Sequence, residues 1–262
     1  MQVGMIAALP DLVSLRATTG VFYDVIGGGG EVTNEIGERF ETYCRELLEE
    51  MLPGYNIRPS FKYALKKGDE VSSPDIFLCS NSNAISAIFE CKATRMSYEA
   101  RFSENPVADA RRAYEDIAKG VFQIWKFASH HRRGLIPNEE ITPGAKGVVL
   151  TLDTWMAAAS DLREDVFALA RARADKDPAI NDTDRIPVTF CSVEDLEQVL
   201  NVASEESFCR TLDAAMEAQF QGWLLWSIHQ KIAPDINLAK GYPFGKRIAE
   251  VLPWWNKFTT RQ

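Results

Sequence analysis

Residues 74–93 read PDIFLCSNSNAISAIFECKA, and their reading decides the fold. Pro74 to Ser80 is an apolar run bounded by polar turn residues, which predicts a buried strand. Asn81-Ser82-Asn83 is a turn, and Ala84 to Ala93 predicts a second strand, richer still in apolar residues. Two strands joined by so short a turn are antiparallel neighbours. Asp75, opening the first, then lies beside Glu90, closing the second, at one end of a sheet. Side chains alternate along a strand with period two, so Glu90 and Lys92 share a face.

Upstream, Ile36, Phe40, Tyr43, Leu47 and Met51 recur at helical spacing. They predict a helix from Asn34 to Leu52, capped by Thr33 or Asn34 and ended by Pro53-Gly54. Residues 57–65 predict a strand, and KKGDEVSS a turn. One helix thus precedes three consecutive strands, an antiparallel meander. Downstream, Ala110, Tyr114, Ile117, Val121, Ile124 and Phe127 mark a long helix over 107–131. KGVVLTLDT is a fourth strand, 155–173 a helix, and IPVTFCS a fifth strand. Ser192 caps the helix VEDLEQVLNVA, 205–231 forms a further helix, and a Trp-rich tail ends the chain. The division expected is an arm with a glycine joint (1–30), a core (31–154) and a C-terminal extension packed on it (155–262). The four glycines Gly27 to Gly30 mark a flexible joint, not a phosphate loop, because no Gly-Lys-Ser/Thr follows.

The chain has 262 residues, 46% hydrophobic and 25% charged, which excludes disorder, collagen and coiled coil. No apolar run reaches the length of a membrane span, and no signal peptide is evident, so a cytoplasmic location is expected. Five scattered cysteines without a CxxC pair read as reduced thiols. The net charge of −8 makes nucleic-acid contact depend on a local basic face. Lys92 to Arg133 holds nine Lys/Arg against five acids, +4 in a chain that is −12 elsewhere. The bland alternative is a solvated helix of mixed charge.

Asp75, Glu90 and Lys92 suit phosphodiester hydrolysis. Two carboxylates hold a hard Mg²⁺ or Mn²⁺ ion, and the Cys91 carbonyl offers a third ligand. Such an ion polarises the phosphate and lowers the pKa of a bound water. A lysine beside that water orients it or stabilises developing charge. Pro-Asp occurs three times, but only Pro74-Asp75 is followed within thirty residues by the single Asp/Glu-x-Lys of the chain, Glu90-Cys91-Lys92. The bland reading is two charged strand ends and a surface lysine.

On Pro74, Asp75, Glu90 and Lys92 the chain resembles the PD-(D/E)xK nuclease superfamily, over about residues 33–154. The resemblance implies a restriction-endonuclease-like α/β fold, with a central mixed four- to five-stranded sheet flanked by helices and a mostly helical C-terminal extension. It further implies Mg²⁺ dependence and cleavage of nucleic acid, expected to be DNA, in a restriction or anti-phage setting. Family members carry a glutamate on the helix before the first strand; Gly37-Glu38-Arg39-Phe40-Glu41 matches, with Glu41 as the candidate and Glu38 as alternate. Some place a glutamine on the following helix with a tyrosine four residues on; Gln123 fits, but Phe127 stands in the tyrosine's place. A catalytically inactive nucleic-acid-binding or assembly subunit is the rival reading.

Lys62, Lys66 and Lys67 are candidates for phosphate contact, as are Arg95, Arg111 and Arg112. His130-His131 reads as a helix terminus with cations near the negative dipole end rather than a metal pair. Trp223, Trp226, Trp254 and Trp255 read as core or subunit-contact residues, with base stacking the alternative. The C-terminal region is the expected surface for a homodimer or a protein partner.

Overall fold

The computed structural model describes residues 19–66, 69–80, 82–95, 103–104, 106–136, 138–154, 160–233, 239–245, 247 and 250. The chain divides into two compact units, Met1–Phe40 and Glu41–Gln262. In the first, the short helix α1 (Thr19–Val25) leads into a 3-10 turn, Ile26–Gly28, followed by the start of α2 (Gly30–Met51). The glycine run is therefore built into a turn and a helix start, not a loose joint. Gly29 has φ +91°, which favours glycine, and its carbonyl accepts the Thr33 N–H at 3.1 Å. That bond draws α2 forward of the expected Asn34 start.

The second unit is built on β1 (Asn56–Pro59), β4 (Ile76–Cys79), β5 (Ile85–Lys92), β6 (Ile141–Thr151) and β7 (Val188–Ser192). They form one sheet in the order β1-β4-β5-β6-β7. The β1/β4 and β4/β5 pairs are antiparallel, whereas β5/β6 and β6/β7 are parallel. The fold is thus mixed α/β. Parallel neighbours need a crossover, which the helix between β5 and β6 supplies.

The stretch 57–65 is not one strand. Pro59 lacks an N–H and closes β1. The chain then leaves the sheet: the Phe61 N–H is taken by Ser73 Oγ at 2.8 Å, and its carbonyl by the Ser73 N–H at 2.8 Å. Between these bonds, β2 (Lys62–Lys66) and β3 (Asp69–Ser72) make a separate two-stranded sheet. Part of the expected turn KKGDEVSS is therefore strand. Alternation explains why it pairs: Tyr63 opposite Val71 packs inward, while Lys62 and Glu70 point to water.

After the short α3 (Pro106–Asp109) comes α4 (Arg111–Arg132). Its buried stripe, including Tyr114, Ile117, Val121, Ile124 and Phe127, joins Phe77, Ile88, Val149 and Phe190 in one core. The remaining helices are α5 (Ser160–Ala174), α6 (Val193–Val202), α7 (Glu205–Ala215) and α8 (Leu225–Ile232). Ser192 caps α6 as expected, accepting the Asp195 N–H at 3.1 Å. The single helix expected over 205–231 is two. Gly222 at φ +82° breaks the chain, and the buried Asp195 carboxylate accepts the Leu225 and Trp226 N–H groups at the start of α8. Residues 1–18, 155–159 and the tail with Trp254 and Trp255 lie outside the described residues. No helix among the described residues is long and apolar enough to cross a membrane.

Candidate active site

Strand register brings the first pair together. Ile76 pairs with Phe89, so Asp75 and Glu90, one step outward, face each other across the antiparallel ladder. The Cys91 N–H donates to Asp75 Oδ2 at 2.7 Å, which anchors that carboxylate on β5. Glu90 sits on a strand flanked by β4 and β6 and is only 1% exposed. Its Oε1 accepts from Lys92 Nζ at 2.6 Å. Its Oε2 is buried with no hydrogen-bond partner among the described residues.

The electrostatics follow from this crowding. Burial raises the Glu90 carboxyl to about 8; the Lys92 ammonium opposes the rise, and the neighbouring Asp75 and Glu41 charges add to it. Burial also raises Asp75, against the Cys91 N–H and Lys92. Burial works to lower Lys92, but Glu90 and Asp75 outweigh it and hold the ammonium above its ordinary value. Asp75 and Glu90 thus flank the Lys92 ammonium in a low-dielectric place.

Gln123 of α4 joins the group, accepting from Lys92 Nζ through Oε1 at 3.0 Å. The residue four further on, Phe127, turns away into the core, where it packs against Phe77 with ring centroids 5.1 Å apart. Glu41 of α2 accepts from Ser60 Oγ at 3.4 Å, and its charge reaches Glu90. Glu38 is exposed in the first unit. Period-two alternation sends Cys91 to the other face, where its thiol meets Cys44 of α2.

Gly120 was not singled out by pattern, yet it shapes the site. A Cβ there would stand 3.1 Å from Lys92 Cε and 3.2 Å from Glu90 Cγ. With a glycine there, α4 lies this close over the pair without displacing either side chain. The signal in the sequence was a glycine in mid-helix, which costs about 1 kcal/mol against alanine and so implies a packing reason.

The basic candidates fare unevenly. Arg95 is 14% exposed in its side chain and bonds Asp153 Oδ1 at 3.3 Å. Arg111 pairs with Glu115 at 2.9 Å, and Lys62 with Glu70 at 3.6 Å, both on the surface. Arg112 is exposed at the start of α4. Lys66 ends β2, and Lys67 lies outside the described residues. His130 and His131 sit in the last turn of α4, engaged by the Tyr63 hydroxyl at 2.8 Å and the Glu139 carbonyl at 3.0 Å. Trp223 is exposed, while Trp226 stacks on His229 with centroids 6.2 Å apart.

Among the described residues no group of three or more His, Cys, Asp or Glu side chains converges as a metal cage. A Mg²⁺ site does not need one: one or two carboxylates with water and substrate oxygens suffice. Asp75 and Glu90 offer oxygen donors of that kind, and the buried, unpartnered Glu90 Oε2 is the atom a hard cation would satisfy. The residues present therefore fit such an ion. Compared with protein-family models, curated proteins and solved structures, the chain matches none.

Proposed function

We propose that the protein is a metal-dependent nuclease of the PD-(D/E)xK type, hydrolysing phosphodiester bonds of DNA with Mg²⁺ or Mn²⁺. The observation that carries this reading is Asp75, Glu90 and Lys92 on one sheet end, with Glu90 Oε2 buried and unpartnered. Asp75 and Glu90, with the Cys91 carbonyl, would hold the ion, which when bound supplies Lewis acidity at the phosphate and a more acidic water, and Glu41 would hold a second ion or its water.

The chain's own groups do the positioning. Lys92 spends one N–H on Glu90 and one on Gln123. An ammonium has three, so the third is left for the attacking water or a phosphate oxygen. Gln123 is a positioning residue: its carbonyl oxygen holds the ammonium on the reacting side. Gly120 admits the α4 backbone close against the pair. A cytoplasmic setting in restriction or anti-phage defence belongs to this proposal, as does a homodimer or protein contact through the C-terminal helices.

The test is cleavage of plasmid, linear duplex, single-stranded DNA and RNA with EDTA, Mg²⁺ or Mn²⁺, beside Asp75→Ala and Lys92→Ala. Metal-dependent cutting lost in both variants is the expected result. If wild type cuts nothing and Mn²⁺ raises its melting temperature no more than that of Asp75→Ala, the chain is a binding module instead.

A further inference from the structure

Beside the candidate active site lies a cavity of about 340 Å³ between the β2–β3 hairpin and the α4 and α5 helices. Its described lining holds three cations, Lys119 and Lys126 of α4 and Arg173 of α5, and no acid. Lys119 and Lys126 are two helical turns apart and share a face. None of the three is ion-paired among the described residues, although Arg132, Arg171 and Arg185 nearby in the sequence all are. Gathering cations around a concave space without a counter-charge is unfavourable unless an anion enters. Phe122 and Pro74 add apolar wall, and Gln123, the partner of Lys92, lines the same space. The cavity is thus one side chain away from Lys92.

We propose that this cavity binds a nucleotide through its phosphomonoester, with Phe122 against the base or sugar. Resting on the nuclease reading above, the occupant is the phosphorylated end of a substrate strand. Charge argues for a terminal group. A phosphomonoester carries close to −2 at neutral pH, whereas an internal diester carries −1, and three cations match the former. Size agrees, because the volume lies at the small end of ligand pockets, room for about one nucleotide. The phenyl ring of Phe122 offers a face for sequence-independent stacking. A strand end seated here sets the reading distance from terminus to scissile bond.

The test is binding in EDTA, which removes any metal contribution. Short single strands ending in 5′-phosphate, 3′-phosphate or hydroxyl groups are titrated by fluorescence anisotropy, with dAMP as competitor. Wild type is compared with Lys119→Gln, Lys126→Gln, Arg173→Gln and Asp75→Asn. A phosphorylated end binds about tenfold or more tighter than a hydroxyl end, and each of the first three variants erases much of that gain. Asp75→Asn keeps it. The exposed Lys119 guards against a folding artefact, and melting temperatures check all four. Displacement by dAMP without preference for strand ends keeps the phosphomonoester site and makes a free nucleotide its ligand. Equal affinity for all ends with no displacement by dAMP overturns it. The two readings fail separately: cleavage without phosphate preference removes only the cavity, and phosphate preference without any cleavage removes only the nuclease.

Discussion

A carboxyl group with one oxygen on Lys92 and the other without a partner among the described residues is costly to bury, and Glu90 is such a group. An unsatisfied buried polar atom costs about 1–3 kcal/mol, and more when charged. Glu90→Gln removes the charge while keeping the shape. Cleavage should fall at least about a hundredfold, because a ligand to the ion is weakened, while unfolding free energy moves by about 1 kcal/mol or less. Retained cleavage at wild-type rate would remove Glu90 from the reaction. Gly120→Ala asks a different question of the same place. The new methyl meets Lys92 Cε at 3.1 Å and Glu90 Cγ at 3.2 Å, so the lysine must shift by a few tenths of an ångström. Alanine also favours the helix by about 1 kcal/mol, so stability should hold. The expected outcome is a kcat roughly tenfold lower with an unchanged melting temperature, since small misplacements near reacting atoms are costly. A variant that loses stability and rate together would mean the glycine serves packing alone.

At the scale of elements, two buried side chains tie segments that sequence separates. Asp195 on α6 accepts the Leu225 and Trp226 N–H groups and so caps α8. Asp195→Ala should cost about 2 kcal/mol of unfolding free energy, read from urea titration, because those N–H groups lose their acceptor. Asp195→Asn keeps one acceptor oxygen and should cost less; equal losses would argue against capping. His130 ties the end of α4 to Tyr63 of β2. Burial, with Lys126 and Arg133 nearby and Asp177 opposing, depresses its pKa below the ordinary 6.5. A depressed folded-state pKa means stability that is present above the unfolded value and lost as pH falls below it. The stability difference between wild type and His130→Gln should therefore be larger at pH 8 than at pH 5.5. A difference independent of pH would show that His130 has the same pKa in the folded and unfolded chain, and so is not depressed by burial.

For the whole molecule, a net charge of −8 contrasts with a basic segment at 92–133, so on the proposed nuclease reading nucleic-acid affinity would be confined to that region. Lys119, Lys126 and Arg173 converge there. One phosphomonoester of charge about −2 held by these cations gives a slope of about −1.4 in log Kobs against log salt, and Lys126→Gln should reduce its magnitude. Anisotropy in EDTA at several salt concentrations measures it. A slope near zero would mean that the cluster does not meet phosphate.

Along one chain, hydrophobic period and turn chemistry were enough for β4, β5, α4, β6 and β7. They also placed Asp75 beside Glu90, with Lys92 on the same face. These are local matters: a short turn sets the register of a hairpin, and alternation sets the faces. The β2–β3 hairpin and the split of α7 from α8 are not legible in the sequence, because each is decided by a partner elsewhere. Ser73 reaches back to Phe61, and Asp195 reaches forward to α8. The same holds within the candidate site. That Arg95 is engaged by Asp153, that Gly120 touches Lys92, and that Arg173 joins Lys119 and Lys126 across a cavity depends on helices packing over a sheet. The sequence alone determined the inner strands of the main sheet and which chemical groups end them. Only the tertiary structure decided which groups are buried, paired or left facing open space, because burial and pairing are set by neighbours that no local spacing records.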